Sequence, residues 1–415
     1  MYRVFFERHY PHRGEVDDQL LHLLDGTVAP IPNQGSISAL SNLCFLGYKR
    51  MIMRYALIMA GGSGTRLWPM SRADLPKQLI PFINGKSLLQ LAYERLEGLV
   101  PPQNRYICAG QKHADLIYRS INLPREQFLG EPTGRDTLNA VGFSAAVIAQ
   151  GDPDAVIATF TADHIIEPIV DFQKIVDHGY RLAEQTPNTL VTFGIAPTAA
   201  ATGYGYLQLG KPIDDSARVV EQFKEKPDAA TAQQYFAAGP TRYLWNSGMF
   251  VWRASTLLDC IRRYHPDNHA GLMRIAAAWD TPRRDAVLAE VFPTLKKISV
   301  DFAVMEPASR DPQVRVAAVP MPLKWLDVGS WPMFAETCRH DAHGNALGAE
   351  RALLLDTHNT VVASNDPKHL IATIGCDDLI IIHTPDATLV CRKDSAEAIK
   401  ELHKQVGEKF GKELL

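Results

Sequence analysis

Long apolar runs are the first thing this sequence lacks. A membrane-spanning helix needs about 18 consecutive apolar residues, and the best runs here, Tyr55 to Ala60 and Leu379 to Ile382, are strand-length. A secretory leader is not indicated either, because Arg3, Glu7, Arg8, His9 and His12 put charge and imidazole where an apolar core would follow a basic patch. The expectation is a cytoplasmic protein with no membrane partner. The 6 cysteines (Cys44, Cys108, Cys260, Cys338, Cys376, Cys391) include no CxxC pair, so neither a cysteine zinc site nor a disulfide framework is indicated. A dominant sign of charge is also missing, with 43 Lys+Arg against 46 Asp+Glu and a net charge of -3. So neutral a surface would not draw nucleic acid or an anionic bilayer, and neither is an expected partner.

What is present is an ordinary globular composition: 415 residues, 46% apolar and 21% charged. Average domain sizes turn that length into two or three domains. No low-complexity tract or exact repeat occurs. Residues 1–52 show no sustained period and contain a Pro/Gly/Asn/Ser stretch from Pro30 to Ser38. They read as an extension without chemistry, either flexible or upstream of a true start at Met51 or Met53, and the second reading is preferred.

From Arg54 onward, short apolar strands alternate with amphipathic helices, the pattern of an α/β domain with a mainly parallel sheet and helices on both faces. Strands are expected at Arg54–Ala60, Arg105–Ala109, Gln127–Gly130, Ala155–Thr161 and Thr189–Ile195. Helices are expected at Leu88–Leu99, Leu138–Ala149 and Phe172–Ala183. The segment 53–340 forms this domain. Residues 345–415 read as a small β domain, with strands Leu353–Ser364, His369–Gly375, Leu379–His383 and Thr388–Cys391, closed by a helix from Ser395 to Phe410.

The chemistry begins where the first strand ends, at Ala60-Gly61-Gly62-Ser63-Gly64-Thr65-Arg66-Leu67. Glycines let a backbone approach a polyphosphate closely, and Arg66 adds a forked cation. A plain strand-to-helix turn is the bland alternative. Two phosphate-binding rivals fail on their letters: no Gly-Lys-Ser/Thr follows for a P-loop, and the third glycine of a dinucleotide fingerprint is missing, with Leu67 following. Lys77, in a loop pinned by Pro69, Pro76 and Pro81, puts a second cation on the same loop, although a lone lysine is often only a solvated one.

The run Ala60 to Leu79, AGGSGTRLWPMSRADLPKQL, resembles the signature of sugar-1-phosphate nucleotidylyltransferases, and most closely that of mannose-1-phosphate guanylyltransferases. Further blocks follow in the family's order: Glu131–Thr137 (EPTGRDT), Thr161–Ile165 (TADHI), Gly203–Tyr206 (GYGY), Phe223–Pro227 (FKEKP), Trp245–Phe250 (WNSGMF), Ser299–Glu306 (SVDFAVME) and Trp325–Trp331 (WLDVGSW). The resemblance covers residues 53 to 410. It implies a Rossmann-like nucleotidyltransferase domain followed by a small left-handed β-helix-like domain. It also implies transfer of GMP from GTP to mannose 1-phosphate with Mg2+ as cofactor.

Carried onto this chain, the resemblance places Gly61, Gly62, Gly64, Thr65, Glu131 and Arg135 at the nucleotide. It assigns Arg66, Lys77 and Lys226 to the phosphates, Gly205, Glu225 and Asn246 to the sugar, and Asp163 with Asp327 to the metal. Each assignment has a bland counterpart. Asp163 after a buried strand and Asp327 in an aromatic-flanked loop could be turn residues, but two carboxylates at one sheet edge are also hard ligands for Mg2+. Glu225 and Lys226 could be a surface ion pair; in an irregular loop both could reach a ligand. Asn246 could be a turn asparagine or could bond a hydroxyl pair. Glu131 could cap the helix starting near Thr137, or accept the parallel N1–H and N2 donors that guanine offers and pyrimidines do not.

Three letters depart from commoner family text: Asp136 for Asn, Thr161 for Pro and Phe302 for Tyr. Asp136 adds negative charge near the nucleotide and is expected to weaken triphosphate binding modestly. A fused phosphomannose isomerase is not expected, because His358, His369 and His383 lie among apolar strands without neighbouring Glu. The small domain is expected to support a homodimer. The rival readings are a UTP- or dTTP-dependent glucose-1-phosphate enzyme and a non-catalytic regulatory relative.

Overall fold

The computed structural model describes residues 52–415 apart from Ser63 and Asn84. The expectation for residues 1–52 therefore lies, but for Ile52, outside the described residues. Eleven strands build the first part: β1 Arg54–Met59, β2 Arg105–Gly110, β3 Phe128–Glu131, β4 Val156–Thr161, β5 His164–Glu167, β6 Thr189–Ile195, β7 Tyr206–Pro212, β8 Arg218–Lys224, β9 Tyr243–Arg253, β10 Arg315–Pro320 and β11 Lys324–Asp327. Nine of them form one sheet in the order β3-β2-β1-β4-β9-β6-β10-β8-β7. The first four are parallel. β9 then enters antiparallel to both β4 and β6, β10 is parallel to β6, and β7 and β8 close the edge as an antiparallel pair.

Strand alternation sends neighbouring side chains to opposite faces, and each face has its own core. Leu57 joins one, packed with helices Asp136–Gly151, Ala254–Tyr264 and Pro266–Ala278. Ala56 and Ile58 join the other, under helices Leu88–Glu94, Ala114–Ile121 and Ile169–Gln185. Helix Asp136–Gly151 is buried continuously from Leu138 to Ile148, which explains why its apolar residues have no clean one-sided period.

Seven further strands follow: β12 Arg339–His340, β13 Ala346–Gly348, β14 Arg351–His358, β15 Val361–Ser364, β16 Leu370–Asp377, β17 Leu379–Thr384 and β18 Ala387–Arg392. β13, β15 and β17 stack in parallel on one side, and β14 and β16 stack in parallel on another, the pattern of β-helix coils. The expected single strand Leu353–Ser364 is in fact two strands in different sheets. The chain turns a corner at Asn359, whose φ of +46° a continuous strand cannot hold. The closing helix is also shorter than expected: Lys393–Ala398 is a 3-10 turn and the α-helix runs Ile399–Phe410.

A third core unites this part with the signature loop. Leu67, Trp68 and Met70 are buried together with Trp331, Phe334, Val361, Ile380, Ile382 and Ile399. The apolar residues Leu67, Trp68 and Met70 of the loop thus share a core with the β-helix coils.

Candidate active site

The carboxyl ends of parallel strands share one edge of a sheet, and ligands of open α/β folds bind there. After β1 the chain turns through Gly62 and Gly64 at φ +100° and +60°, values that favour glycine. At Gly64 a Cβ would lie 2.8 Å from both Lys77 Cβ and Ser71 Oγ, so this glycine lets the loop close on Lys77. Gln78 fixes the other limb by donating to the Gly61 carbonyl. Gly61 and Gly62 remain exposed, which leaves their backbone accessible to an anion. Thr65 opens a short helical turn, Thr65–Leu67. Arg66 is exposed, its Nε 2.8 Å from Glu397 of the β-helix part.

Lys77 is buried, with Nζ 2.7 Å from Asp163 Oδ2 and 3.3 Å from the Val328 carbonyl it donates to. The antiparallel pair β5–β11 brings the second carboxylate in, because its register sets Asp327 opposite His164. Asp327 accordingly ends a strand and does not lie in the loop the sequence indicated. One ligand atom each from Asp163, His164 and Asp327 falls within 4.8 Å of the others, and no second such group of three occurs among the described residues. Burial raises the Asp163 carboxyl, but Lys77 and His164 outweigh it and hold the group below its usual range. Asp327 is pushed up by burial and by Asp163. Opposed shifts in one cleft are characteristic of functional carboxylate pairs.

Two residues without an assigned role hold this cluster in place. His164 Nδ1 accepts from the Trp325 indole at 3.2 Å and lies 2.6 Å from Thr161 Oγ1. Because an indole N–H only donates, the His164 proton resides on Nε2, 3.7 Å from Asp163 Oδ1. Thr161, one of the departures from the family text, supplies a contact that proline could not make. Arg95 is buried and donates to the His164 carbonyl at 2.8 Å and the Thr161 carbonyl at 3.1 Å, clamping the turn that presents Asp163. His164 lay within a recognised block, whereas Arg95 stands between Glu94 and Glu97 and no spacing singles it out from those charges.

A second cluster lies across an aromatic bridge of His164, Trp325, Tyr204 and Trp245, whose successive ring centroids are 4.9, 5.5 and 4.9 Å apart. Glu225 and Lys226 follow β8 in irregular backbone, Lys226 at φ +41°, and both side chains point the same way, with Nζ to Oε1 at 2.6 Å. A Cβ at Gly205 would sit 2.6 Å from Glu225 Oε2 and 3.4 Å from Asn246 Cβ, so the glycine leaves that carboxylate its space. Asn246 lies within β9, not a turn, and its Nδ2 donates to Asp301 Oδ1 at 2.9 Å.

Glu131 ends β3, buried, and the cap of the next helix is Arg135, so Glu131 is no helix cap. Burial, with a contribution from Asp136, pushes its carboxyl up to about 7. A Cβ at Gly61 would lie 4.0 Å from its Oε2, which places Glu131 beside the glycine loop. Arg135 donates to the Pro293 carbonyl and is thereby engaged with the helical layer. Asp136 holds φ +66°, a left-handed position that suits the asparagine more common there.

The fold and site define a class: residues 55–344 match the family model of nucleotidyl transferases, and the chain belongs to that family. Residues 350–406 match a mannose-phosphate isomerase/GMP-like β-helix domain. A mannose-1-phosphate guanylyltransferase of Klebsiella pneumoniae is 35% identical over 358 residues, 84% of this chain and 73% of that protein. The xanthan biosynthesis protein XanB of Xanthomonas campestris pv. campestris is 35% identical over 357 residues, 84% of this chain and 72% of that protein. A crystal structure from Thermus thermophilus, described as a mannose-1-phosphate geranyltransferase, superposes with a TM-score of 0.74 at 34% identity, covering 86% of this chain and 99% of that one.

Proposed function

We propose that this chain transfers GMP from GTP to α-D-mannose 1-phosphate, forming GDP-mannose and pyrophosphate. The observation that carries the reading is the β5–β11 register, which sets Asp327 beside Asp163, with buried Lys77 on Asp163 and the glycine loop closed over Lys77. A sugar-phosphate oxygen is already anionic near neutral pH, so catalysis reduces to alignment and charge neutralisation. That oxygen attacks the α-phosphorus, and the bond to the β-phosphate oxygen breaks to release pyrophosphate. Lys226 positions the attacking phosphate, while Glu225, Gly205 and Asn246 hold the sugar. Arg66 and Lys77 neutralise the leaving phosphates. The exposed Arg66–Glu397 pair is worth under about 1 kcal/mol, little enough for a phosphate to displace it.

Asp163 and Asp327 fit a divalent cation by their chemistry, two hard carboxylates in one cleft with the His164 imidazole beside them. Mg2+ held there would supply Lewis-acid neutralisation of phosphate oxygens. The test is pyrophosphate release over a grid of nucleoside triphosphates and sugar 1-phosphates, with and without Mg2+; preference for another pair would overturn the substrate reading. The same assay decides between this reading and a non-catalytic regulatory role.

Glu131 reads the base. In the folded chain its carboxyl keeps a proton up to about pH 7, whereas accepting both guanine N–H groups requires the ionised form. The apparent KM for GTP is therefore expected to rise as pH falls below about 7, and Glu131→Gln should flatten that profile. The stability sign is independent. The folded state holds the proton more tightly, so stability drains away as pH rises through the raised value, and Glu131→Gln should gain thermal stability over the native chain from about pH 5 to pH 8. A pH-independent difference in Tm would count against this placement of Glu131.

We further propose a catalytic domain over 53–340, a β domain over 345–415, action in the cytoplasm, and a homodimer through the β domain. The described residues hold no helix long and apolar enough to cross a membrane. On the outer face of β14 and β16, Leu353, Leu355, Leu370 and Ile374 are 67%, 61%, 54% and 75% exposed, with Leu355 directly opposite Ile374 in the register, an apolar stripe that a second copy would cover. Leu355→Glu with Ile374→Glu should give a monomer by sedimentation; an unchanged mass would remove this face from the interface. None of the described residues in that domain forms a three-ligand metal group. His358 pairs with Asp377 at 2.9 Å and packs edge-on against His343, and His369 stacks on His383.

A further inference from the structure

Asp301 has no part in the reaction as derived above, yet the fold plants it firmly. It begins a π-helical turn, Asp301–Met305, a form concentrated at functional sites. The preceding amide, Val300 N–H, donates to Thr137 Oγ1 at 2.9 Å, and Ala303, Val304 and Met305 are fully buried. The backbone is therefore held from both sides, and the carboxylate has little freedom to retreat.

The aim of that carboxylate is set by Asn246. The Thr192 hydroxyl donates to Asn246 Oδ1 at 2.8 Å, which directs the amide Nδ2 to Asp301 Oδ1 at 2.9 Å. This order fixes the amide orientation and leaves Asp301 Oδ2 without a side-chain donor among the described residues. Glu225 borders the same space, since a Cβ at Gly205 would meet both Glu225 Oε2 and Asn246 Cβ while Asn246 holds Asp301, and burial with the Glu225 charge raises the Asp301 carboxyl. One Glu225 oxygen is taken by Lys226 and the other faces Gly205, which has no side chain to occupy the space. Carboxylates thus outnumber cations here, with Glu225, Asp301 and Asp136 all acting on the Lys226 ammonium. An anion would be repelled everywhere except at Lys226, whereas hydroxyl groups, which donate, would be bound by the oxygens.

We propose that Asp301 is a sugar-specificity residue, its second carboxylate oxygen accepting a hydroxyl of the hexose beside Glu225. Lys226 takes the phosphate end, Glu225 and Asp301 take the hydroxyl end, and Asn246 is the strut that keeps Asp301 aimed. The inference deepens the guanylyltransferase reading and rests on it.

The test is steady-state pyrophosphate release by the full chain, Asp301→Asn and Asp301→Ala, with mannose 1-phosphate and its 2-, 3-, 4- and 6-deoxy analogues. Asp301→Ala should raise the KM for mannose 1-phosphate by about 10- to 100-fold, the worth of a hydrogen bond to a charged group. The KM for GTP should stay within about two-fold, since Asp301 belongs to the other end of the cleft. With one deoxy analogue, the one lacking the bonded hydroxyl, wild type and Asp301→Ala should have the same KM. Asp301→Asn, which preserves shape and can still accept from Asn246, should fall between. An unchanged KM for mannose 1-phosphate in Asp301→Ala, or an equal penalty across all four analogues, overturns the assignment and leaves a structural acid. A wild-type chain idle with GTP and mannose 1-phosphate overturns the substrate reading itself, a result separable from loss in the variants alone.

Discussion

Asp327→Ala is expected to lose about 100- to 1,000-fold in turnover while its melting temperature holds or rises. The two halves of that result have different origins. Removing Asp327 takes away half the carboxylate charge available to a divalent cation, and single electrostatic groups in such sites contribute about 100- to 1,000-fold. The same carboxylate is a liability to the free fold, because burial and Asp163 both raise it. A carboxyl raised in the folded state withdraws stability as pH increases through its folded value, so the gain on deleting it should be greatest at neutral pH and above. Asp163→Ala should be equally inactive and less stable. It leaves the buried Lys77 ammonium with the Val328 carbonyl as its one hydrogen-bond partner among the described residues, and stranding one partner of a buried pair costs about 3–5 kcal/mol. Thermal melts beside pyrophosphate release would show the contrast. Near-normal turnover in Asp327→Ala would refute the metal assignment, and equal destabilisation of both variants would refute the electrostatic account of Lys77.

Much of this cleft was readable from residues alone, and what escaped did so for definable reasons. The glycine loop was found because φ values such as those of Gly62 and Gly64 restrict the residue type, so the constraint is written in the letters themselves. The first strands were found because they are short apolar runs, and the helix Ile169–Gln185 because its apolar residues recur on one face; Thr189–Ile195 agrees to the residue. β7, β8 and β9 were not anticipated, since mixed burial along β8 and an aromatic-rich β9 give no simple alternation. Asp327 was placed in a loop because the four-residue β11 is too short to show a period, and only its pairing with β5 makes it a strand. His164, Arg95 and Asp301 stood in plain view as letters. What they do depends on partners far along the chain, such as Trp325 for His164 and Asn246 for Asp301, and spacing carries no record of those contacts. The corner at Asn359 was missed for a related reason: both flanking segments are β-prone, and one left-handed residue between them leaves a weak trace.

The role of the β-helix part is the larger revision, and it leads to a second large effect. The sequence pointed to dimerisation alone, whereas the structure wraps the last residues of the chain around the signature loop. The Trp68 indole donates to the Leu414 carbonyl at 2.8 Å, Arg72 donates to that same carbonyl, and Ala73 N–H donates to the Leu415 carbonyl at 3.0 Å. Arg72 also pairs with Asp386 at 2.6 Å, and Trp331 donates to the Trp68 carbonyl at 3.0 Å. Arg66 lies just before this gripped segment and Lys77 just after it, so the tail sets the separation of the two phosphate cations. Removing Lys412–Leu415 strands the Trp68 donor inside a buried core, which costs about 1–3 kcal/mol, and frees the loop between the cations. A displacement of about 1 Å in a positioning element can cost about 100-fold in rate. The expected result is a loss of that order in kcat/KM for GTP, with the KM for mannose 1-phosphate nearly unchanged because Glu225 and Lys226 directly follow β8 and Asn246 stands on β9. Trp68→Phe keeps the ring and deletes only the donor, so it should show the same pattern at smaller amplitude. Equal losses for both substrates would mean that the tail supports the fold as a whole, while no loss for GTP would mean that the glycines and Gln78 alone shape the loop.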